Sequence, residues 1–304
     1  MIYINNIMKR KVIKQANQAY TLTLPIDWVR ANKISEKCEI DVVVDGRSLL
    51  VSNEGGVVKK KAKLDVSGFE YRNVYRHINA LYAKGVDEIE ISSDKEISSL
   101  IIKLLNSLIG YVLVSQEDGK YVIKDISGGG YGDLDEVFKR AFQSVILFYD
   151  SAISDVFGAG IESESSLRMR DLEVNKLCFY LQRAINKMSY GDAVRGRSLF
   201  SYSLELEKIG DDILRFWRAN LGKKIKKTKE LREIVDLSRK CLHWTFDSYY
   251  RFDSKELEKV FDLREKVRKK VAVIKGQDVF ARQALRIAEG AVDLNHLVLM
   301  MKLE

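Results

Sequence analysis

The only proline among 304 residues, Pro25, separates two kinds of folding problem. Proline lacks an amide N–H and fixes φ, so it ends a strand ladder and suits a first helical position. Here it stands between an apolar β-type segment, Tyr20–Leu24, and a short helical patch, Ile26–Ala31. Val12–Ile13 precedes them. Ile40–Val44 and Leu49–Val51 follow, joined by Asp45-Gly46, a hairpin-turn signal. The predicted order is β-β-α-β-β. A unit this short cannot bury a core alone, so it requires a partner, most simply a second copy of itself.

Far from Pro25 the chain becomes helical. Ser127-Gly128-Gly129-Gly130 marks the clearest boundary. Beyond it the apolar spacing predicts helices over about 133–157, 164–189, 196–220, 228–250, 254–274 and 277–302. No proline interrupts them, and the breaks carry Gly158 with Gly160, Tyr190-Gly191, Gly222 and Gly276. Short connections imply antiparallel neighbours, so two three-helix bundles in tandem are predicted, related as a distant repeat.

Between these regions, 53–64 reads as a linker, polar around Gly55-Gly56 and then lysine-rich. Tyr71–Lys84 places Val74, Ile78, Leu81 and Tyr82 on one helix face. Gly85 ends that helix and Glu88–Ile91 begins a strand. Ser93-Asp94 caps a helix with Ile97, Ile101, Leu104, Leu105 and Leu108 as its stripe. Tyr111–Ser115 and Tyr121–Ile126 form a hairpin around Asp118-Gly119. This predicts a small sheet covered by two helices, serving as a spacer or dimer surface. The fold class is thus α+β and multidomain: a β domain over 1–52, a middle α/β domain over 65–127 and an all-α domain over 131–304.

Composition sets the class of partner. With 46% hydrophobic and 31% charged residues this is an ordinary soluble chain. No apolar run reaches the length of a membrane span, and the N-terminus lacks a signal peptide's apolar core. Cys38, Cys178 and Cys241 show neither a pairing pattern nor metal-ligand spacing, which predicts reduced thiols in a cytoplasm. The net charge of +8 permits a nucleic-acid partner. Residues 1–33 hold six cations, Lys9, Arg10, Lys11, Lys14, Arg30 and Lys33, against Asp27 alone. Such side chains beside strands can neutralise phosphates. The clusters Lys59-Lys60-Lys61 with Lys63, and Lys223–Lys229, read as solvated linkers or loops. No nucleophile–base pair is visible. The helix after Ser127–Gly132 lacks the P-loop lysine and hydroxyl, and His77 and His243 lack neighbours of metal-ligand type. An enzyme is not predicted.

Arg10–Lys14, Tyr20–Pro25, Trp28-Val29 and the Ile40–Val51 hairpin together resemble the swapped-hairpin AbrB/SpoVT family, DNA-binding dimers whose strands interleave. That family has a Gly-Asp turn where this chain reads Glu36-Lys37-Cys38-Glu39. The resemblance implies an N-terminal swapped-hairpin β domain, a homodimer and DNA as a partner.

Three predicted helices carry oxygen-bearing side chains four apart: Asp171 with Asn175, Glu207 with Asp211, and Glu289 with Asp293. That spacing puts each pair on one helix face. Glu207 and Asp211 fall off the stripe Leu206, Ile209, Ile213, Phe216 and Trp217. Glu289 and Asp293 fall off the stripe Ala284, Ile287, Ala291, Leu294 and Val298. By spacing alone these acids form solvated faces. The surrounding words, Leu206-Glu207-Lys208-Ile209-Gly210-Asp211, Arg170–Leu177 and Ile287–Asp293, are similar to motifs of the PhoU phosphate-uptake regulator family. That resemblance implies a PhoU-like pair of three-helix bundles. It also implies a cofactor metal, iron, zinc or another, held at the bundle surface by Asp171, Glu207, Asp211, Glu289 and Asp293. Asn175 stands where the family has a carboxylate, and the fifth helix, with Asp262 and Lys266, lacks an acidic pair.

Two functions stay open. One is a cytoplasmic DNA-binding transcriptional regulator of phosphate uptake that senses through its helical half. The other is a PhoU-like adaptor that docks on a phosphate transporter or signalling kinase, its N-terminal unit serving only to dimerise. Salt-dependent DNA binding discriminates between them.

Overall fold

The computed structural model describes residues 9–15, 19–36, 38–45, 48–52, 59–127, 133–158, 160, 162–187, 193–221, 226–274 and 278–303. The glycines expected in turns at Gly46, Gly55-Gly56, Gly128–Gly130, Gly191, Gly222 and Gly276 lie outside these residues, as does part of the lysine run at 223–229. The fold is α+β. It divides into two compact units, Met1–Val58 and Lys59–Glu304.

In the first unit β1 (Val12–Lys14) pairs antiparallel with β2 (Tyr20–Leu22), Val12 opposite Leu22 and Lys14 opposite Tyr20. α1 (Ile26–Ala31) begins directly after Pro25. It stops at Lys33, whose φ of 54° reverses the chain, so that Lys33 and Ile34 donate back to the carbonyls of Arg30 and Val29. β3 (Asp41–Asp45) pairs antiparallel with β4 (Ser48–Ser52). Strands that alternate apolar and polar residues should bury one face. Here none of the residues whose exposure is described is buried, and Val12 is 62% and Tyr20 65% exposed.

The second unit begins with a sheet. β5 (Lys61–Asp65), α2 (Tyr71–Ala83), β6 (Glu88–Ser92), α3 (Ser98–Leu105), β7 (Tyr111–Glu117) and β8 (Lys120–Asp125) give the strand order β5-β6-β8-β7. β5 runs parallel to β6, joined by α2, and the other pairs are antiparallel. Ile78, Ile89, Ile101 and Ile123 sit in its core. The expected linker over 53–64 therefore ends in a strand. Ala62 and Leu64 pack against the core, and Lys61 and Lys63 pair across the sheet with Glu88 at 3.0 Å and Glu90 at 3.2 Å. Lysines on an edge strand also obstruct pairing with a foreign strand.

Six helices complete this unit: α4 (Leu134–Phe157), α5 (Glu164–Lys187), α6 (Ala193–Arg218), α7 (Lys229–Tyr250), α8 (Ser254–Val273) and α9 (Asp278–Lys302). Side-chain oxygens of Asp133, Thr228 and Asp253 cap α4, α7 and α8. α4, α5 and α6 pack on one another, as do α7, α8 and α9. α6 lies along α9 and α4 meets α7, so both groups share one continuous apolar core. Buried polar links cross it. The indole N–H of Trp217 donates to Asp155 at 2.7 Å. Tyr149 donates to Ser238, which donates in turn to the Ala284 carbonyl at 2.7 Å.

α6 and α9 approach closely at Gly290. A Cβ there would stand 2.8 Å from Ile209 Cγ1 and 3.1 Å from Glu205 Oε1. An exposed helical glycine replaced by alanine gains about 1 kcal/mol. Gly290→Ala is expected to lose about 1–3 kcal/mol instead, because the two helices must separate. Urea unfolding of the variant checks this; a midpoint at or above wild type would contradict the contact.

Candidate functional site

The carboxylates with the least compensation lie between α5 and α6. Spacing of four puts Asp171 and Asn175 on one face of α5 and Glu207 and Asp211 on one face of α6. Gly210 lets the two faces meet. A Cβ on it would stand 3.2 Å from Val174 Cγ1 and 3.8 Å from Asp171 Oδ1. The side-chain oxygens Asp171 Oδ1 and Asn175 Oδ1 are buried with no hydrogen-bond partner.

Electrostatics follow from this placement. Burial, reinforced by the Asp211 carboxylate, raises the Asp171 pKa to about 6. Burial, then Asp211 and Asp171, raise Glu207 to about 7. The expectation of a solvated face therefore fails for these two acids. A helical wheel orders residues around their own axis and does not include the neighbouring helix that covers them. Asp211 itself is paired with Arg215 at 2.6 Å. Next to it the buried Asp212 takes Arg215 at 2.7 Å and Arg286 at 3.4 Å. Two further side chains border the crevice unannounced by any spacing signal. Burial first, and the Glu207 charge with it, push up the phenol of Tyr75 on α2 and the thiol of Cys178 on α5.

Glu289 and Asp293 do not join this group. Glu289 is paired with Arg268 at 3.1 Å. Asp293 is exposed, and its charge acts on Lys208. The five proposed ligands thus form no single set. Among the described residues no three His, Cys, Asp or Glu side chains converge closely enough to hold a metal ion. Asp171, Asn175, Glu207 and Asp211 present oxygen donors, which suit hard cations, whereas zinc is held mostly by nitrogen and sulfur. Without three convergent ligands, the described residues do not form a site for the metal that the resemblance implies.

The N-terminal cations occupy the first unit. Lys9, Arg10 and Lys11 lead into β1, Lys14 ends it, Arg30 lies in the last turn of α1 and Lys33 follows it. All six are exposed. No helix of the described residues is long and apolar enough to cross a membrane. Compared with known proteins, the chain matches no protein family, no curated protein and no solved structure.

A raised carboxyl pKa means that the folded chain holds the proton more tightly than the unfolded chain does. Folding then loses stability as pH rises from the ordinary values, 3.8 for Asp171 and 4.5 for Glu207, through about 6 and about 7. Asp171→Asn with Glu207→Gln is expected to flatten this decline and to stabilise the protein at pH 8 by on the order of 2 kcal/mol. Urea midpoints between pH 4 and 8 test it. A decline equal to wild type would show that these two carboxyls are not its source.

Proposed function

We propose that this chain is a DNA-binding regulator of phosphate uptake that acts as a homodimer through Met1–Val58, with the helical half as its sensing part. One observation carries the reading: in the first unit no residue whose exposure is described is buried, although its strands are apolar. Val12, Ile13, Tyr20, Leu22, Val42 and Leu49 are all at least 49% exposed. Isolated hairpins with solvated apolar faces are marginal in water. A second copy supplies the missing cover and doubles the six cations, which suits a two-fold DNA site. The resemblance of the same residues to the AbrB/SpoVT dimers supports the interleaved-strand arrangement, and the PhoU-like motifs of α5, α6 and α9 support the link to phosphate uptake.

Sedimentation is expected to give a species of twice the chain mass. Val12→Lys with Leu22→Lys places charge on the face that the partner covers. It should leave monomer, while the circular dichroism of the helical half persists. A dimer that survives both changes would move the interface to the helical half.

DNA binding is tested by salt titration of the full chain on a selected operator and on random duplex. Each phosphate contact contributes about 0.9 to the slope of log affinity against log salt. Lys11→Ala with Lys14→Ala in both protomers should therefore flatten the slope and weaken binding to both DNAs, leaving the dimer intact. Equal slopes and affinities for wild type and variant would give the lead to the adaptor reading, in which the first unit only dimerises.

A further inference from the structure

α5 belongs to the helical bundle, yet its last two turns lie against the middle sheet. Arg183 is wholly buried there. A buried guanidinium is costly unless its donors are matched, and this one is matched on all sides. Its Nη1 donates to the carbonyls of Tyr82 at 3.0 Å and Val86 at 2.6 Å. Its Nη2 donates to Asp87 Oδ1 at 3.0 Å and Asp125 Oδ2 at 2.5 Å. The rings of Tyr82 and Tyr111 meet edge to face, and each ring centre lies 5.0 Å from the guanidinium carbon.

The acids are matched as well. Asp87 Oδ1 also takes the ammonium of Lys187, and Oδ2 takes the Lys60 amide at 2.9 Å. Asp125 Oδ1 takes the Ser127 amide at 2.9 Å and its hydroxyl at 2.6 Å. Every oxygen of the two carboxylates therefore has a partner. Asn186 donates to the Ala83 carbonyl at 2.8 Å. Gly85, at φ +83°, leaves room for Lys187, whose Cγ would stand 2.7 Å from a Cβ there. The end of α2, the approach to β6, the start of β7 and the end of β8 thus converge on one side chain of α5.

We propose that Arg183 is the pin that makes the middle sheet and the helical bundle one body, so that any rearrangement of α5 is delivered to the sheet. The middle segment is then an output of the bundle and not a spacer. A fully satisfied buried network has few alternative arrangements, and removing one member strands the rest. A helix passes displacement along its length because its backbone is hydrogen-bonded throughout. The same helix carries Asp171 and Asn175 further towards its N-terminus, so the crevice and the sheet share one rigid element.

Amide hydrogen exchange of the full-length protein across a sub-denaturing urea series tests the pin. In wild type the slowest amides of β6 and β8 are expected to open together with those of α5 and α6, with one urea dependence. Arg183→Met should speed exchange in β6 and β8 by about a hundredfold or more, while α6 and α9 keep their rates. Arg183→Lys keeps the charge but loses the forked contacts, and should give a smaller uncoupling of the same kind. If the methionine variant does not fold, the wild-type series and the lysine variant decide. A wild-type sheet that opens independently of α5 at lower urea would overturn the proposal. So would lysine or methionine variants in which sheet and bundle still open together.

Discussion

Two places where a neighbouring helix approaches α6 more closely than a side chain allows set the geometry of the second unit. At Gly210 α5 presses Val174 and Asp171 against α6, and at Gly290 α9 receives Ile209. Both glycines are covered in the interior. A helical glycine carries an intrinsic cost of about 1 kcal/mol, so its place in a long helix needs a compensating contact. The compensation here is close packing on two sides of one helix, which joins the groups α4–α6 and α7–α9 into a single core. The same approach at Gly210 brings Asp171 of α5 near enough to Glu207 and Asp211 of α6 for their charges to act on one another. Packing and electrostatics thus meet at Gly210 of α6, whereas Gly290 of α9 serves packing alone.

The two buried polar regions on α5 are opposite in character. Around Arg183 two carboxylates face two cations, and every carboxylate oxygen is hydrogen-bonded. Around Asp171 three carboxylates gather, of which Asp211 alone has an ion partner in contact, and two buried oxygens have no partner. A satisfied network holds one structure, whereas an unsatisfied one stores unfavourable free energy that a proton, a cation or a donor group can release. Satisfied and unsatisfied polar groups are therefore separated along one helix.

Much of the fold was legible because periodicity is a local property. The scarcity of proline and the apolar spacing place every helix from α4 to α9 within about three residues of its observed ends, inside the usual uncertainty of helix boundaries. Ile26–Ala31 coincides with the helix found. β5 was hidden because an edge strand whose outer face is lysine has the composition of a linker. The burial of Asp171 and Glu207 was hidden because one helix's apolar stripe does not say what leans on its flank. Arg183 was hidden for a related reason. In sequence a helical arginine reads as solvent-facing, and only the approach of Asp87 and Asp125, distant in the chain, makes burial possible. The spacing of the acids did not reveal that Glu289 pairs with Arg268 or that Asp293 is exposed.

Charge finally limits which part of the chain can meet which partner. Of the net +8, residues 1–33 hold six cations less Asp27, leaving the much longer remainder only weakly basic. Within that remainder Asp171 and Glu207 have carboxyl pKa values raised first by burial and then by neighbouring carboxylates. A phosphate backbone brought to such a crevice would add like charge in a partly desolvated place, where Coulomb repulsion is screened least. Electrostatics thus favours a polyanion at the exposed cations of the first unit over one at these acids. A chain whose segments ask for counter-ions of opposite sign can bind both at once without competition.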